Sequence, residues 1–168
     1  FKDVYDVLEA ENRNRFTIVG TKTQLSFING NAKVFSVAPT GQEEDFQAIL
    51  NLNYSPFLAE DINFEAFPPL KGPFGDVAFT VPFETLLGKS VLGIPKNEPL
   101  LATFETNNRR EAVLFGENIW QWRAQSYLNA SSFNPFDDFT GKLIQYLASS
   151  QRKSRLIVDY ESFYTGSN

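Results

Sequence analysis

The stretch that most constrains the fold covers residues 109–128 and reads RREAVLFGENIWQWRAQSYL. The apolar run that ends at Phe115 predicts a buried strand, and Gly116 begins a tight turn. The residues after the turn predict a helix that carries both tryptophans of the chain. In α/β proteins, a strand, a glycine turn and a helix in this order place a functional loop at the carboxyl end of the strand. This stretch therefore predicts an α/β fold with a candidate site at the turn.

The composition removes most catalytic chemistry from that candidate site. The chain has no histidine and no cysteine, so it lacks the usual general base, the usual thiol nucleophile and the commonest transition-metal ligand. Its net charge of −5 argues against non-specific nucleic-acid binding, which needs a basic face. We therefore expect no catalytic residue, no metal site, no cofactor and no nucleic-acid partner.

The length and hydrophobicity predict one globular domain over residues 1–168. A chain of 168 residues that is 42% hydrophobic and 15% aromatic can bury a proper core. No apolar run approaches the roughly 20 residues that a membrane-spanning helix needs. The sequence contains no methionine, which indicates a piece of a longer protein.

Hydrophobic periodicity and turn residues predict the elements of the domain. We expect helices over residues 1–14, after a Thr21 cap as far as Ile28, and from an Asn134 cap onward with Pro135 in the first turn. The inner stripe of this last helix is predicted to be Phe136, Phe139, Leu143, Tyr146 and Leu147. Asn29, Gly30 and Asn31 predict a turn, and residues 39–45 predict a loop. Strands are expected over residues 15–19, 33–37, 46–52 (ambiguous between helix and strand), 86–94, 100–106 and 156–160.

Two further features bear on function. Residues 53–83 are rich in phenylalanine and proline and predict an ordered loop, either a hydrophobic lid over the sheet end or a binding loop. On the helix after Gly116, Trp120 shares the apolar stripe with Ala124, Tyr127 and Leu128, which predicts that it is core. Trp122 lies on a mixed face and is expected to be partly exposed at the sheet end.

Several of these segments resemble a known protein family. They are IVGTKTQLSFING, NFEAFPPLKGPFG, LLATFETNNRREAVLFGENIWQWRAQSYL and FDDFTGKLIQYLA. The resemblance is to the later part of a class I glutamine amidotransferase-like domain of membrane-anchored Bacteroidetes proteins, which related proteins place near a von Willebrand factor A-type domain. It covers about residues 15–160. The family motif more usually reads GEGIWRWR, so Asn118 and Gln121 depart from it, although asparagine tolerates a left-handed turn position.

The resemblance implies a fold and a location, and argues against an activity. The implied fold is α/β, with an amidotransferase-like or flavodoxin-like, mostly parallel central sheet flanked by helices and an antiparallel hairpin over residues 100–115. A mixed α+β sheet is the alternative, because several strands follow one another without helices. The implied location is the extracytoplasmic side of the cell envelope. True amidotransferases use a cysteine and a histidine, and this chain has neither.

Two functions are therefore predicted. The first is a non-catalytic amidotransferase-like module, a binding or scaffolding domain whose partners are other domains of the parent protein or other envelope proteins. The alternative is a domain that binds or hydrolyses a small ligand, a sugar or an amino acid, with Glu117, Trp122 and Arg123. Asn118 completes this possible ligand or partner site. The alternative requires a pocket that these side chains line together.

Overall fold

The structure is a computed structural model, and it describes residues 2–59 and 62–149. The helices are α1 (Lys2–Ala10), α2 (Leu25–Asn31), α3 (Trp120–Ala130) and α4 (Asn134–Ala148), with a short 3₁₀ helix at Phe64–Ala66. The strands are β1 (Arg15–Ile18), β2 (Phe35–Val37), β3 (Gln42–Leu50), β4 (Leu70–Phe74), β5 (Val77–Phe79), β6 (Phe83–Val91), β7 (Ile94–Thr106) and β8 (Arg109–Leu114).

Six strands form one curled, mixed sheet in the order β1-β8-β7-β6-β3-β4, which makes a half-barrel. Only β1 and β8 pair in parallel, and the other four neighbouring pairs are antiparallel. Strands β2 and β5 form a separate antiparallel pair. The sheet is therefore largely antiparallel.

The expected mostly parallel sheet is wrong, and two tight turns explain why. Leu92 and Gly93 join β6 to β7, and Asn107 and Asn108 join β7 to β8; their φ angles are 49°, 78°, 50° and 63°. Two-residue turns of this left-handed kind connect antiparallel strands, whereas parallel strands need a long crossover. The β7–β8 hairpin was predicted, and the alternative of a mixed α+β sheet is closer to the observed arrangement.

Strand β8 lies between β1 and β7 in the sheet and is buried on both faces. Ala112 and Leu114 point to one side, where α3, α4 and residues of segment 53–83 cover the sheet. Val113 and Phe115 point to the other side, against α2 and the β2–β5 pair. Burial on both faces explains why the end of this strand and the next residue, residues 112–115, are continuously apolar in sequence.

Helix α4 confirms the predicted inner stripe. Its buried residues are Phe136, Phe139, Leu143 and Leu147, and the half-buried Tyr146 packs against the same core. The predicted proline in the first turn is also present, although the cap residue is Phe133 rather than Asn134. Spacing of three and four residues was sufficient to identify the side of this helix that faces the sheet.

Several local predictions are wrong because tertiary contacts override the local signal. The expected turn at residues 29–31 lies within α2, which begins at Leu25 rather than after a Thr21 cap. Strand β3 begins at Gln42, inside the expected loop over residues 39–45, because its polar first half pairs with β4. Segment 53–83 contains β4 and β5 as well as irregular structure. The strand expected over 156–160 lies outside the described residues.

A buried cluster of charged side chains attaches α1 to the sheet. The two carboxylate oxygens of Glu111, on β8, accept hydrogen bonds from Nε of Arg15 (3.0 Å) and from Nε of Arg109 (2.8 Å). Glu9 of α1 pairs with Nη2 of Arg15 (3.0 Å) and Nη1 of Arg109 (2.9 Å). The buried Nη1 of Arg15 has no hydrogen-bond partner among the residues that the structure describes, and the guanidinium carbon of Arg15 lies 4.7 Å from the centre of the Tyr5 ring. Since α1 buries no residue of its own, these contacts hold it in place.

The sheet curls so that β4 reaches the end of β8. The Glu117 N–H donates to the carbonyl of Lys71 (2.8 Å) directly after β8. Glycines make this approach possible, because a Cβ on Gly116 would lie 2.8 Å from Cβ of Leu70 and one on Gly72 would lie 2.8 Å from the carbonyl of Phe115. The described helices include none that is long and apolar enough to cross a membrane.

Candidate functional site

The predicted site residues surround the start of α3, and Glu117 is the first of them. Its two carboxylate oxygens accept hydrogen bonds from the N–H and the hydroxyl of Thr21, both at 2.9 Å. Its backbone N–H donates a hydrogen bond to the carbonyl of Lys71. Glu117 therefore connects three segments: the loop after β1, strand β4 and the turn after β8.

Asn118 shapes the turn that precedes α3. Its φ angle of 71° is left-handed, as its place in the motif predicted. Its carbonyl accepts the N–H of Gln121 (2.9 Å), which satisfies one of the donors at the start of the helix. Asparagine adopts this conformation at lower cost than most other residues, so the turn explains the residue type without a ligand.

Trp122 is fully buried, so the expectation of a partly exposed side chain is wrong. Its indole Nε1 donates to the carbonyl of Pro68 (2.8 Å), and its ring centre lies 5.4 Å from that of Phe64 and 5.9 Å from that of Phe67. These three partners come from segment 53–83. The segment thus supplies the cover of Trp122, and Trp122 anchors α3 to the core.

Arg123 connects α3 to α4. Its Nε and Nη2 donate to the two carboxylate oxygens of Asp137, at 2.8 and 3.0 Å. The guanidinium carbon also lies 4.0 Å from the centre of the Phe133 ring. The hydrogen bonds from Arg123 lower the pKa of Asp137 from its ordinary value.

Each of the predicted side chains with a charge or a large ring is thus occupied by a partner within the chain. Glu117 bonds to Thr21, Trp122 to Pro68, and Arg123 to Asp137. A cleft of about 820 Å³ lies elsewhere, beside the end of α4, and none of these side chains lines it. The structure does not bring Glu117, Trp122 and Arg123 together as the walls of one pocket.

What these residues do together is fix the orientation of α3. With Trp122 and Ser126 buried, the opposite side of the helix faces solvent. That side carries the predicted apolar stripe, so the expectation that Trp120 is core is wrong. Exposed fractions are 66% for Trp120, 49% for Tyr127 and 76% for Leu128, and Ala124 is also exposed. We call Trp120, Ala124, Tyr127 and Leu128 the α3 stripe.

The α3 stripe continues onto the following loop. The Tyr127 and Phe133 rings lie 4.8 Å apart, and Phe133 is 37% exposed while it also contacts Arg123. Exposed apolar residues that are contiguous on a surface are typical of protein-binding sites, whereas isolated ones are common everywhere. The sequence contained this signal, because the stripe has clear helical spacing, but the spacing alone could not show that the stripe faces outward.

Comparisons of the chain with protein-family models, with curated proteins and with solved structures found no match. We therefore infer function from the geometry of the described residues.

Proposed function

We propose that this chain is a non-catalytic binding module that docks onto a partner protein through the α3 stripe. The observation that supports the proposal is the exposure of Trp120 and Leu128 on a helix whose other side is firmly anchored. Water-exposed apolar surface on a rigid element favours association, because docking removes that surface from water. Little conformational entropy is lost when the element is already fixed. Tryptophan, tyrosine and arginine are the residue types that most often dominate binding at protein interfaces.

The composition supports the non-catalytic part of the proposal. Hydrolysis of glutamine by an amidotransferase needs a thiolate nucleophile and a base, and the chain has neither cysteine nor histidine. We expect no ammonia release when the protein is incubated with glutamine. Turnover that a single substitution in this chain abolishes would contradict this part of the proposal.

The identity of the partner depends on the resemblance, which stays a prediction. Under that prediction, the partner is another domain of the parent protein or another protein of the cell envelope. The mostly parallel fold that the resemblance also implied is wrong, so the proposal does not use it. It uses only the exposed stripe and the missing catalytic residues.

Site-specific photo-crosslinking tests the docking surface in cells that express the parent protein. A benzophenone amino acid replaces Trp120 or Leu128 in two separate variants. As a matched control it replaces Leu92, which is 93% exposed in the turn between β6 and β7. We expect the same crosslinked partner from both α3 positions and not from the control. Crosslinks that are identical at all three positions, or absent from α3, would reject the stripe as an interface.

A further inference from the structure

The cleft of about 820 Å³ lies between the last turns of α4 and the strands β6 and β7. Residues 55–57 form its third wall, and this volume is in the range of small-molecule and peptide sites. Thr103 also lines the cleft, and its hydroxyl is hydrogen-bonded to the Tyr54 hydroxyl behind it (2.9 Å). The cleft is separate from the α3 stripe, because no residue of α3 lines it.

Arg110 is a fixed part of the wall. Its Nε donates to Glu105 (2.9 Å), its Nη1 donates to the carbonyl of Tyr146 (3.1 Å) and to the hydroxyl of Ser149, and its guanidinium carbon lies 4.7 Å from the centre of the Tyr146 ring. With these contacts Arg110 and Glu105 neutralise each other at one end of the cleft. Neither of them is available as a full charge for a ligand.

Glu84 and Lys142 differ from this pair. Glu84 is exposed on β6, opposite Thr103 in the sheet register, and Lys142 is half-buried on α4 across the cleft. Among residues 2–59 and 62–149, neither side chain forms an ion pair, although both line the same cavity. Their charged atoms are therefore more than 4.0 Å apart, and the cavity separates a carboxylate from an ammonium group.

Aromatic rings line the same cleft as these two charges. The Phe57 and Tyr146 rings are 6.1 Å apart, and Phe83 is 40% exposed on the strand side. A ring edge or face contributes apolar contact, and the negative face of a ring also attracts ammonium groups. The cleft thus offers an anion, a cation and apolar surface in one space.

We propose that this cleft binds a small zwitterion, a free amino acid or a short peptide with free termini. The ammonium group of the ligand lies against Glu84, its carboxylate lies against Lys142, and its side chain contacts the rings of Phe57 and Tyr146. A zwitterion satisfies both charges at once, whereas a ligand with one charge leaves the other without a partner. This inference goes beyond the docking function of α3 and does not depend on it.

The test is an NMR titration of ¹⁵N-labelled protein with phenylalanine, with the tripeptide Gly-Phe-Gly, and with the same tripeptide either N-acetylated or C-amidated. We expect saturable shifts of amide signals from the cleft with the zwitterions. Each capped peptide should bind roughly two- to fivefold more weakly, because a partly exposed ion pair contributes modestly. Comparison of phenylalanine with the tripeptide shows which length fits.

Two variants assign each charge. In Glu84→Gln, the free and N-acetylated peptides should bind equally, and in Lys142→Gln, the free and C-amidated peptides should bind equally. Asp138→Asn is the matched control, because this exposed carboxylate of α4 does not line the cleft. Equal binding of capped and free peptides by the unmodified protein would overturn the proposal, and so would shifts outside the cleft or no saturation at millimolar peptide.

Discussion

At the scale of single residues, the two tryptophans of α3 have different roles, because one is buried and the other is exposed. Trp122 fills a space bounded by phenylalanines and gives its only polar atom to the carbonyl of Pro68. Trp120, two positions earlier, has two thirds of its surface in water. A turn of 100° per residue places the two rings on different sides of α3, so one can stabilise the fold while the other contacts a partner.

Replacement of the two tryptophans should therefore have unequal effects. Trp122→Ala removes a fully buried ring and leaves the carbonyl of Pro68 without the indole N–H that it accepts. The substitution should therefore lower the free energy of unfolding by about 3–5 kcal/mol. Trp120→Ala should change it by no more than about 0.5 kcal/mol, as at other exposed sites. Urea denaturation of the two variants measures this. Equal losses would mean that the α3 stripe is packed against the rest of the protein.

Sequence reasoning identified the right stripe on α3 and assigned it to the wrong side. The spacing of Trp120, Tyr127 and Leu128 is truly helical, but spacing does not reveal what covers a helix face. The cover of Trp122 comes from Pro68, which is 54 residues earlier in the chain. For α4 the same method succeeded, because its stripe is longer and faces the sheet directly.

Lys89 is a second residue whose surroundings determine its chemistry. It is buried on β6, with its ammonium group 4.7 Å from the centre of the Phe46 ring, and it forms no ion pair with any residue that the structure describes. Burial lowers the pKa of Lys89, and the carboxylates of Glu98 and Asp76 oppose this only in part. The folded state therefore holds its proton less tightly than the unfolded state does.

Stability should reflect this difference as a function of pH. A lowered lysine pKa means that the unfolded chain binds more protons between the folded pKa and about 10.4, so stability rises with pH in that window. Lys89→Met should remove this rise and should be more stable at neutral pH by about 1 kcal/mol. Urea melts of both proteins between about pH 7 and about pH 10 measure the effect. Lys2→Met, at an exposed position of α1, should keep the slope of the unmodified protein.

At the scale of secondary-structure elements, α1 depends on charge rather than on burial. It has no buried residue, and Glu9 connects it to Arg15 and Arg109. Partial burial acts to raise the pKa of Glu9, but the hydrogen bonds and charges of the two arginines hold it below its ordinary value. A lowered carboxylate pKa gives stabilisation that is present above about pH 4.3 and is lost as the pH falls through the folded pKa.

We therefore expect α1 to detach before the rest of the domain unfolds. In Glu9→Gln, amide hydrogen exchange should become faster throughout α1 and should stay unchanged in β8. Acidification of the unmodified protein should produce the same local change, because protonation removes the same charge. Exchange followed by mass spectrometry separates the two elements. Exchange in α1 that is insensitive to both changes would show that its apolar contacts, such as the edge-to-face contact of Tyr5 with Phe27, are sufficient.

The direction of the strands was the part of the fold that sequence reasoning missed. The existence of most strands follows from their apolar runs, but an apolar run has the same appearance in parallel and antiparallel sheets. The direction of the strands is decided by two short connections, Leu92-Gly93 and Asn107-Asn108. Two residues are too few for the crossover helix that parallel strands need. The pairing of the polar residues Glu43 and Glu44 with β4 had no local signal at all.

At the scale of the whole molecule, the half-barrel depends on the close approach of β4 to the end of β8. In Gly116→Ala, a methyl group would lie 2.8 Å from Cβ of Leu70, and neither backbone can move freely. We expect a loss of about 1–3 kcal/mol in the free energy of unfolding, as for other overpacked sites.

The same substitution on α4 should have the opposite effect. Gly141 has no atom within 4 Å of an added Cβ, so Gly141→Ala should raise stability by about 0.5–1 kcal/mol through helix propensity. Thermal and urea melts of Gly116→Ala and Gly141→Ala measure the two changes in the free energy of unfolding. Equal effects of the two substitutions would mean that the contact between β4 and β8 is loose.

The two outer strands of the main sheet differ in what they permit. β4 carries Lys71 and Pro73 and is folded against β8, and these features discourage the addition of another strand. β1 has neither residue, pairs on one side only within the described residues, and leaves Phe16 and Ile18 39% and 46% exposed. Polymerisation through a sheet needs two receptive edges on every subunit, and the part of the sheet that the structure describes has one. Copies that joined through β1 would therefore stop at a closed pair and could not grow into a fibre.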